Sequence, residues 1–248
     1  MRYHWAPMLP PRTHEITRVE AFSDAVFAFA LTLLVVSLDV PASYDELMRL
    51  MAGFVPFACS FALLTWIWYQ HNVFFRRYGL QDAYTVTLNA ILLFVVLFYV
   101  YPLKFLFTAF FAYFIPLLDI RLRVQPAQLG TIFAIYGIGF IVIFLMFGLL
   151  HLHAYRRRSV LGLSPLEVFD VRATGGEHLV SAGVGALATA IALFAPAPYP
   201  VYSGFAYFLM GPAHWTYGVR TGRRRRALER QLAEAMGTEA AAVSSAEV

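Results

Sequence analysis

RVEAFSDAVFAFALTLLVVSLDVP, residues Arg18 to Pro41, decides the fold. Three charges, Arg18, Glu20 and Asp24, open the stretch, and none follows until Asp39. The uncharged run 25–38, extended back to Val19 through only Glu20 and Asp24, gives the roughly 20 mostly apolar residues that an α-helix needs to cross about 30 Å of hydrocarbon. The acidic residues at its start do not fit the positively charged entry of a cleavable signal peptide, so Val19–Leu38 reads as a mature transmembrane helix. At 3.6 residues per turn its side chains sort into two neighbouring stripes. Ala21, Ala25, Ala28 and Thr32 form one of small residues, the pattern that lets membrane helices approach closely. Phe22, Val26, Phe29, Leu33 and Val36 form a bulky one that can face lipid, the subunit core or the axis of a symmetric assembly.

The rest of the chain repeats the first signal. Of 248 residues, 60% are hydrophobic and 14% charged, and mean hydropathy is +0.63; a soluble domain carries about 25% charged residues. Five more apolar runs follow, at 48–70, 83–103, 130–151, 178–194 and 199–217. The fifth of the six, short and rich in Gly and Ala, carries the weakest signal. The fold class expected is an all-α membrane protein of six transmembrane helices. Residues 1–17 would form a cytoplasmic N-terminus, 18–218 the membrane domain, and 219–248 a basic cytoplasmic tail, partly disordered. Within the tail, Leu228, Leu232 and Met236 recur at helical spacing.

Charge sets the orientation. With the N-terminus inside, fifteen of the nineteen Lys and Arg residues fall on cytoplasmic segments; Arg49, Lys104, Arg121 and Arg123 remain outside. Positive charge therefore favours both termini in the cytoplasm. The pI of about 9.3 follows from arginines beside helix ends, which meet anionic lipid, and calls for no nucleic-acid partner.

Lone Cys59 lies inside an apolar run and supports neither an intrachain disulfide nor a cysteine-built metal site. His151 and His153, two residues apart, do not share a helix face and fit an interfacial role better than metal ligation. No His-Glu-x-x-His, phosphate-binding Gly-x-x-x-x-Gly-Lys or Gly-x-Ser-x-Gly pattern is present, so no enzyme is indicated and no cofactor is expected. The Thr-Val-Gly-Tyr-Gly carbonyl filter is also missing. A carboxylate inside a membrane span needs a partner. Asp24 either pairs with Arg18 at the interface or joins a polar network with Ser23, His71 and Asn89, should the first three helices pack together.

Arg18, Phe22, Ser23 and Asp24 form an Arg-x-x-x-Phe-Ser-Asp motif, followed by Ala-Val-Phe-Ala and Thr-Leu-Leu-Val. The stretch closely resembles the first helix of the transmembrane protein 175 family of endosomal-lysosomal and prokaryotic potassium channels. Trp68 to His71 resembles the family's Trp-x-x-His at the end of the second helix, and Leu88-Asn89 its opening of the third. The specific likeness covers about 90 residues over three helices. With one copy of the motif, the resemblance implies the prokaryotic six-helix type in a prokaryotic cell membrane, assembled as a homotetramer with four first helices around the pore. It implies that Phe29, Leu33 and Val36 line the pore as a hydrophobic gate, although the family usually has Ile or Leu where Phe29 stands. Thr32 corresponds to a family threonine linked to selectivity, one residue off that stripe. Arg18, Phe22, Ser23, Asp24, Trp68, His71 and Asn89 are the motif network.

The function expected is a potassium-permeable channel without a carbonyl filter, its partners being other copies of itself, the bilayer and permeant potassium ions. A secondary transporter or proton-leak pathway using Asp24 and His71, and a noncatalytic membrane scaffold with Arg223–Arg226 on lipid, are the alternatives. Inverted repeats with broken helices, which would mark the transporter, are not found in the sequence.

Overall fold

The computed structural model describes residues 15–36, 41–114, 126–196 and 199–246. Seven α-helices and one 3-10 segment make up this part: α1 (Arg18–Val36), α2 (Tyr44–Ala52), α3 (Phe54–Tyr78), α4 (Ala83–Phe114), α5 (Pro126–Arg156), α6 (Pro165–Phe194), the 3-10 segment (Tyr199–Leu209) and α7 (Met210–Ala246). Arg121 and Arg123, and Arg2 and Arg12 among the fifteen cations counted as cytoplasmic, lie outside the described residues.

Local chemistry sets the helix ends. Thr17 and Glu20 start α1: the Glu20 carboxylate accepts from the Thr17 backbone N–H at 2.8 Å and the Thr17 hydroxyl accepts from the Glu20 N–H at 3.2 Å. Two of the orphan donors at the helix N-terminus are thereby satisfied. Ser164 and Glu167 repeat the device at α6, with Pro165 in the first turn where its missing N–H costs nothing. Asp82 caps α4 through the N–H groups of Tyr84 and Thr85. Gly79, at φ 59°, closes α3 in the left-handed conformation that a side chain would disfavour.

Each of the six expected runs overlaps these helices, with changed ends, residues 37 and 38 of the first lying outside the described residues. The second is broken at Gly53 into α2 and α3, which meet at a 43° bend. The last begins as 3-10 turns before becoming α7, which continues as helix to Ala246 where the composition had suggested disorder. The fifth begins at Pro165, thirteen residues before the apolar run. Three helical stretches, Ala83–Ala112, Gln128–Arg156 and Pro165–Phe194, are individually long and apolar enough to cross a membrane, and α2 with α3 makes a fourth if counted together.

Helices α1, α3 and α4 pack as one group, and α5, α6 and the 3-10 segment as a second, joined along α4 and α5. Small residues bring α5 and α6 together. A Cβ on Gly137 would lie 1.9 Å from Thr189 Oγ1, and one on Gly185 2.8 Å from the Phe140 ring. The Gly/Ala content that weakened the hydropathy signal of α6 is thus its packing face. Aromatic contacts tie the groups: Trp66 to Phe144 at 5.6 Å and Phe74 to His151 at 5.0 Å between ring centroids. The Tyr99 hydroxyl donates to the Tyr136 carbonyl at 3.0 Å across α4 and α5.

Candidate functional site

Three polar side chains, one from each helix of the first group, meet away from solvent. Ser23 of α1, His71 of α3 and Asn89 of α4 are 0%, 1% and 3% exposed. The Ser23 hydroxyl donates to the Val19 carbonyl at 2.7 Å and accepts from the Asn89 amide at 2.9 Å. Asn89 Oδ1 lies 2.8 Å from His71 Nε2. With Oδ1 as acceptor, His71 Nε2 carries the proton and donates, and every bond in the chain has one donor and one acceptor. Phe27 and Phe75 cover the imidazole at centroid distances of 5.5 and 4.5 Å. A buried polar group left without a partner costs about 1–3 kcal/mol, so this chain pins the rotation and register of α1 against α3 and α4.

One turn along the same face, Trp68 Nε1 donates to Asp24 Oδ1 at 2.7 Å. Asp24 thus bonds neither Arg18 nor the Ser23–His71–Asn89 chain; its partner is the α3 indole of Trp68, a fellow member of the motif network. Among the described residues it has no bond to Arg18 or to His71. Arg18 is exposed, and Phe22 is 63% exposed, so these two motif residues point away from the network. The sequence reading missed Glu20, which is 5% exposed and bonded to Thr17. Thr17-Arg18-Val19-Glu20 is a capping-box spacing that could have revealed it.

The network settles which face of α1 turns inward. Phe27, Ala30 and Leu34 continue the line of Ser23 and are 1%, 0% and 0% exposed. Ala21, Ala25, Ala28 and Thr32 are all exposed, and Phe29 is 56% exposed beside them. The Thr32 hydroxyl donates to the Ala28 carbonyl at 2.8 Å, which leaves its methyl and lone pairs on the outer face. Leu33 is half-buried and packs against the subunit core. Val36 closes α1, its side chain outside the described residues. The small stripe thus faces outward together with Phe22 and Phe29, while Val26 and Leu33 of the bulky stripe curl back toward the subunit.

The same end of the molecule gathers the buried and paired charges of the other helices. Asp170 of α6 accepts from Arg77 of α3 at 3.2 Å and from Arg225 of α7 at 2.8 Å, and Arg225 also pairs with Glu229. The paired Asp170 raises the Arg225 pKa further, against a smaller effect of burial. His153 Nε2 lies 2.8 Å from Asp82 Oδ2, joining α5 to the cap of α4. Burial pushes the Asp82 carboxyl up, but the bonds from His153 and Thr85 outweigh it and hold its pKa below the usual value. His151, two residues away, is turned inward, with Nδ1 2.9 Å from the Phe147 carbonyl. The two histidines serve different neighbours, and no group of three metal-ligating side chains occurs among the described residues. Cys59 is free and half-buried.

Comparison with known proteins gives this arrangement its context. Residues 18–99, the segment holding all of the network, match the family model described as the endosomal/lysosomal potassium channel TMEM175. A potassium channel of Marivirga tractuosa is 39% identical over 227 residues, covering 88% of this chain and 92% of the relative. The crystal structure of a variant of the potassium channel MtTMEM175, bound to a nanobody–MBP fusion protein, superposes with a TM-score of 0.77 at 38% identity, covering 88% of this chain and 98% of that one. A lysosomal potassium-selective channel TMEM175 homolog from Chamaesiphon minutus shares the fold, with a TM-score of 0.56 at 24% identity, over 82% and 96% of the two chains. These relatives are channels and not enzymes. With likeness of this extent running through both helix groups, the chain belongs to the TMEM175 potassium-channel family.

Proposed function

We propose that this protein is a potassium-permeable channel whose pore is lined by α1 from several copies of the chain, four by the family resemblance. The observation that carries the reading is the division of α1 into a clamped face and an open one. Ser23 and Asp24 fix one side to α3 and α4, and the face carrying Ala21, Ala25, Ala28, Phe29 and Thr32 is exposed among the described residues of its own subunit. Small residues there suit close approach of a second helix, and a closed ring of identical subunits is the usual way to satisfy such a face.

In this reading the chain crosses the membrane six times, α2 with α3 and the 3-10 segment with α7 each counting as one span. The arginines gathered at the ends of α3 and α5 and in α7 support cytoplasmic termini in a prokaryotic cell membrane. Rings of Phe29, Leu33 and Val36 make the closed pore apolar, and it opens when they separate and wet. Thr32, on the open face, is the candidate for discriminating among cations. The motif residues support the pore wall and do not coordinate the ion.

Purified protein in planar bilayers under asymmetric KCl and NaCl tests this. A reversal potential displaced toward that of potassium is the expected result; absence of current in protein shown to be inserted and folded would leave the scaffold reading. Mass measurement in nanodiscs tests assembly, and an active monomer would remove the pore model.

A further inference from the structure

Asp170, in the second turn of α6, holds two helices from outside its own group. Arg225 of α7 grips the carboxylate at two points, Nε to Oδ1 at 2.8 Å and Nη2 to Oδ2 at 3.4 Å, and Arg77 of α3 donates from Nη2 to Oδ2 at 3.2 Å. Glu229, one turn further along α7, also pairs with Arg225 and steadies its guanidinium. The side chains of Asp170, Arg225 and Arg77 are 13%, 18% and 24% exposed, so water screens these bonds only in part. The buried Nε of Arg77 has no partner among the described residues, and its polar hold on α6 is the one bond to Asp170.

What Arg77 holds is the helix that carries the motif network. It lies about 9 Å further along α3 than His71, at 1.5 Å per residue. Buried rings fill the interval: Tyr78 to Phe74 at 5.1 Å, Phe74 to Phe75 at 5.3 Å, and Phe75 to His71 at 4.5 Å between centroids. From there the contacts pass to α1, through Asn89 to Ser23 and from Trp68 to Asp24. Helix α1 packs on α3 and α4, so its place in the subunit follows theirs. At the other end of the chain of contacts, His214 and Tyr217 of α7 bond to Ser181 and Ala173 of α6. Beyond Arg225, residues 226–238 are exposed except Leu228, Glu229 and Leu232. Helix α7 is therefore a long arm, seated on α6 and joined to the first helix group through Asp170.

We infer that Asp170 is a positioning residue for the pore helix: through Arg225 and Arg77 it fixes the cytoplasmic end of α3 to α7, so that α7 and α1 move together. Charge-assisted bonds, one of them a two-point grip, supply the stiff joint, and the close-packed rings between Arg77 and His71 pass a displacement on without absorbing it. The effect on current rests on the pore reading above; the linkage itself does not. Asp170 touches neither α1 nor an ion, and it acts only through the two arginines.

Hydrogen–deuterium exchange of the full-length protein in detergent, followed in peptides covering the first turns of α1, reads the linkage, and open probability in planar bilayers reads its consequence. R225Q should speed exchange in α1 about threefold or more and change open probability by a similar factor, within the range for residues along a coupled chain of contacts. R224Q makes the same change in charge on an exposed neighbour that has no carboxylate bond among the described residues, and it should do neither. On an R77Q background, where α3 has already been released, R225Q should add less than about 1.5-fold. Equal effects of R225Q and R224Q, additive effects of R77Q and R225Q, a lower melting temperature in R225Q with α1 exchange unchanged, or faster α1 exchange with unchanged open probability would each overturn the role. No current from any variant, wild type included, would count against the pore reading, and the exchange pattern would then decide the linkage alone. If R225Q does not fold, R225K, which keeps the charge and loses the two-point grip, decides by the same comparison with R224K.

Discussion

Trp68 and Asp24 face each other across α3 and α1, the indole N–H 2.7 Å from the carboxylate. Both lie in the segment that matches the TMEM175 family model. The indole is a donor only and the carboxylate accepts, and among the described residues Asp24 makes no bond to the cation that its charge would lead one to expect.

Trp68→Phe keeps most of the ring packing and deletes the donor. A hydrogen bond to a charged group is worth about 1.5–3 kcal/mol, so the variant should lose stability in detergent by an amount of that order and melt at a lower temperature. Asp24→Asn keeps an acceptor oxygen but loses the charge that strengthens the bond, so it should cost less on the Trp68→Phe background than on wild type, where the donor is present. Gating or assembly should suffer while cation selectivity is largely kept. A selectivity change as the main effect of Asp24→Asn would put the carboxylate in the conduction path.

The α5–α6 contact gives a paired test of packing. Gly137→Ala places a methyl 1.9 Å from Thr189 Oγ1, whose hydroxyl is already bonded to the Gly185 carbonyl at 2.8 Å, so Thr189 must turn and release that bond or the helices must separate. Overpacking of this kind costs about 1–3 kcal/mol. Gly183, on the same α6, has nothing within 4 Å of its would-be Cβ, and Gly183→Ala should be neutral or slightly stabilising. Thermal unfolding followed by size-exclusion elution would separate the two; equal effects would show that α5 and α6 do not hold this spacing.

Polar contacts were more legible in the sequence than faces. Ser23, Asp24, His71 and Asn89 stand out because a polar group in an apolar run must find a partner, and Ser23, His71 and Asn89 join in one chain while Asp24 bonds to Trp68 beside it. The inward face of α1 was not legible. Phe27, Ala30 and Leu34 line the core, yet they differ in no chemical way from the residues of the outer stripes, since lipid and protein interior are equally apolar and hydrophobic periodicity loses its meaning. The start of α6 was hidden for another reason. Glu167, Asp170, Arg172 and Glu177 break the apolar run, and what compensates Asp170 comes from Arg77 and Arg225, 93 and 55 residues away.

The Asp82–His153 bond makes stability depend on acid. Asp82 has a folded pKa below its ordinary value, so it contributes stability that is present above the unfolded carboxylate range and lost as pH falls through the folded pKa. Asp82→Asn removes that contribution and weakens the cap of α4. The gap in stability between wild type and Asp82→Asn should therefore be steady above about pH 5 and narrow on acidification below about pH 4. Unfolding followed by tryptophan fluorescence across that range would measure it, and a gap that widens in acid would reverse the sign of the argument.

The hydrophobic gate yields the most discriminating comparison, because the two described gate side chains sit differently on α1. Phe29 is 56% exposed on the face opposite Ser23, whereas Leu33 is half-buried against its own subunit. If four copies bring the open faces together, Phe29 reaches nearer the axis, and Phe29→Ala should raise basal potassium current by widening the ring and easing its wetting. Leu33→Asn should also raise current, since a polar edge lowers the dewetting barrier, but it additionally loses apolar packing, so its thermal stability should fall where that of Phe29→Ala does not. Phe94→Ala on α4, 70% exposed and not on the proposed pore helix, is the control and should leave current unchanged. Should Phe29→Ala leave conductance near wild type while Leu33→Asn raises it, the aromatic rings are turned aside and Leu33 forms the constriction. Should neither change the current, α1 is not the pore lining, and the open face of Ala21, Ala25, Ala28 and Thr32 serves only to join subunits.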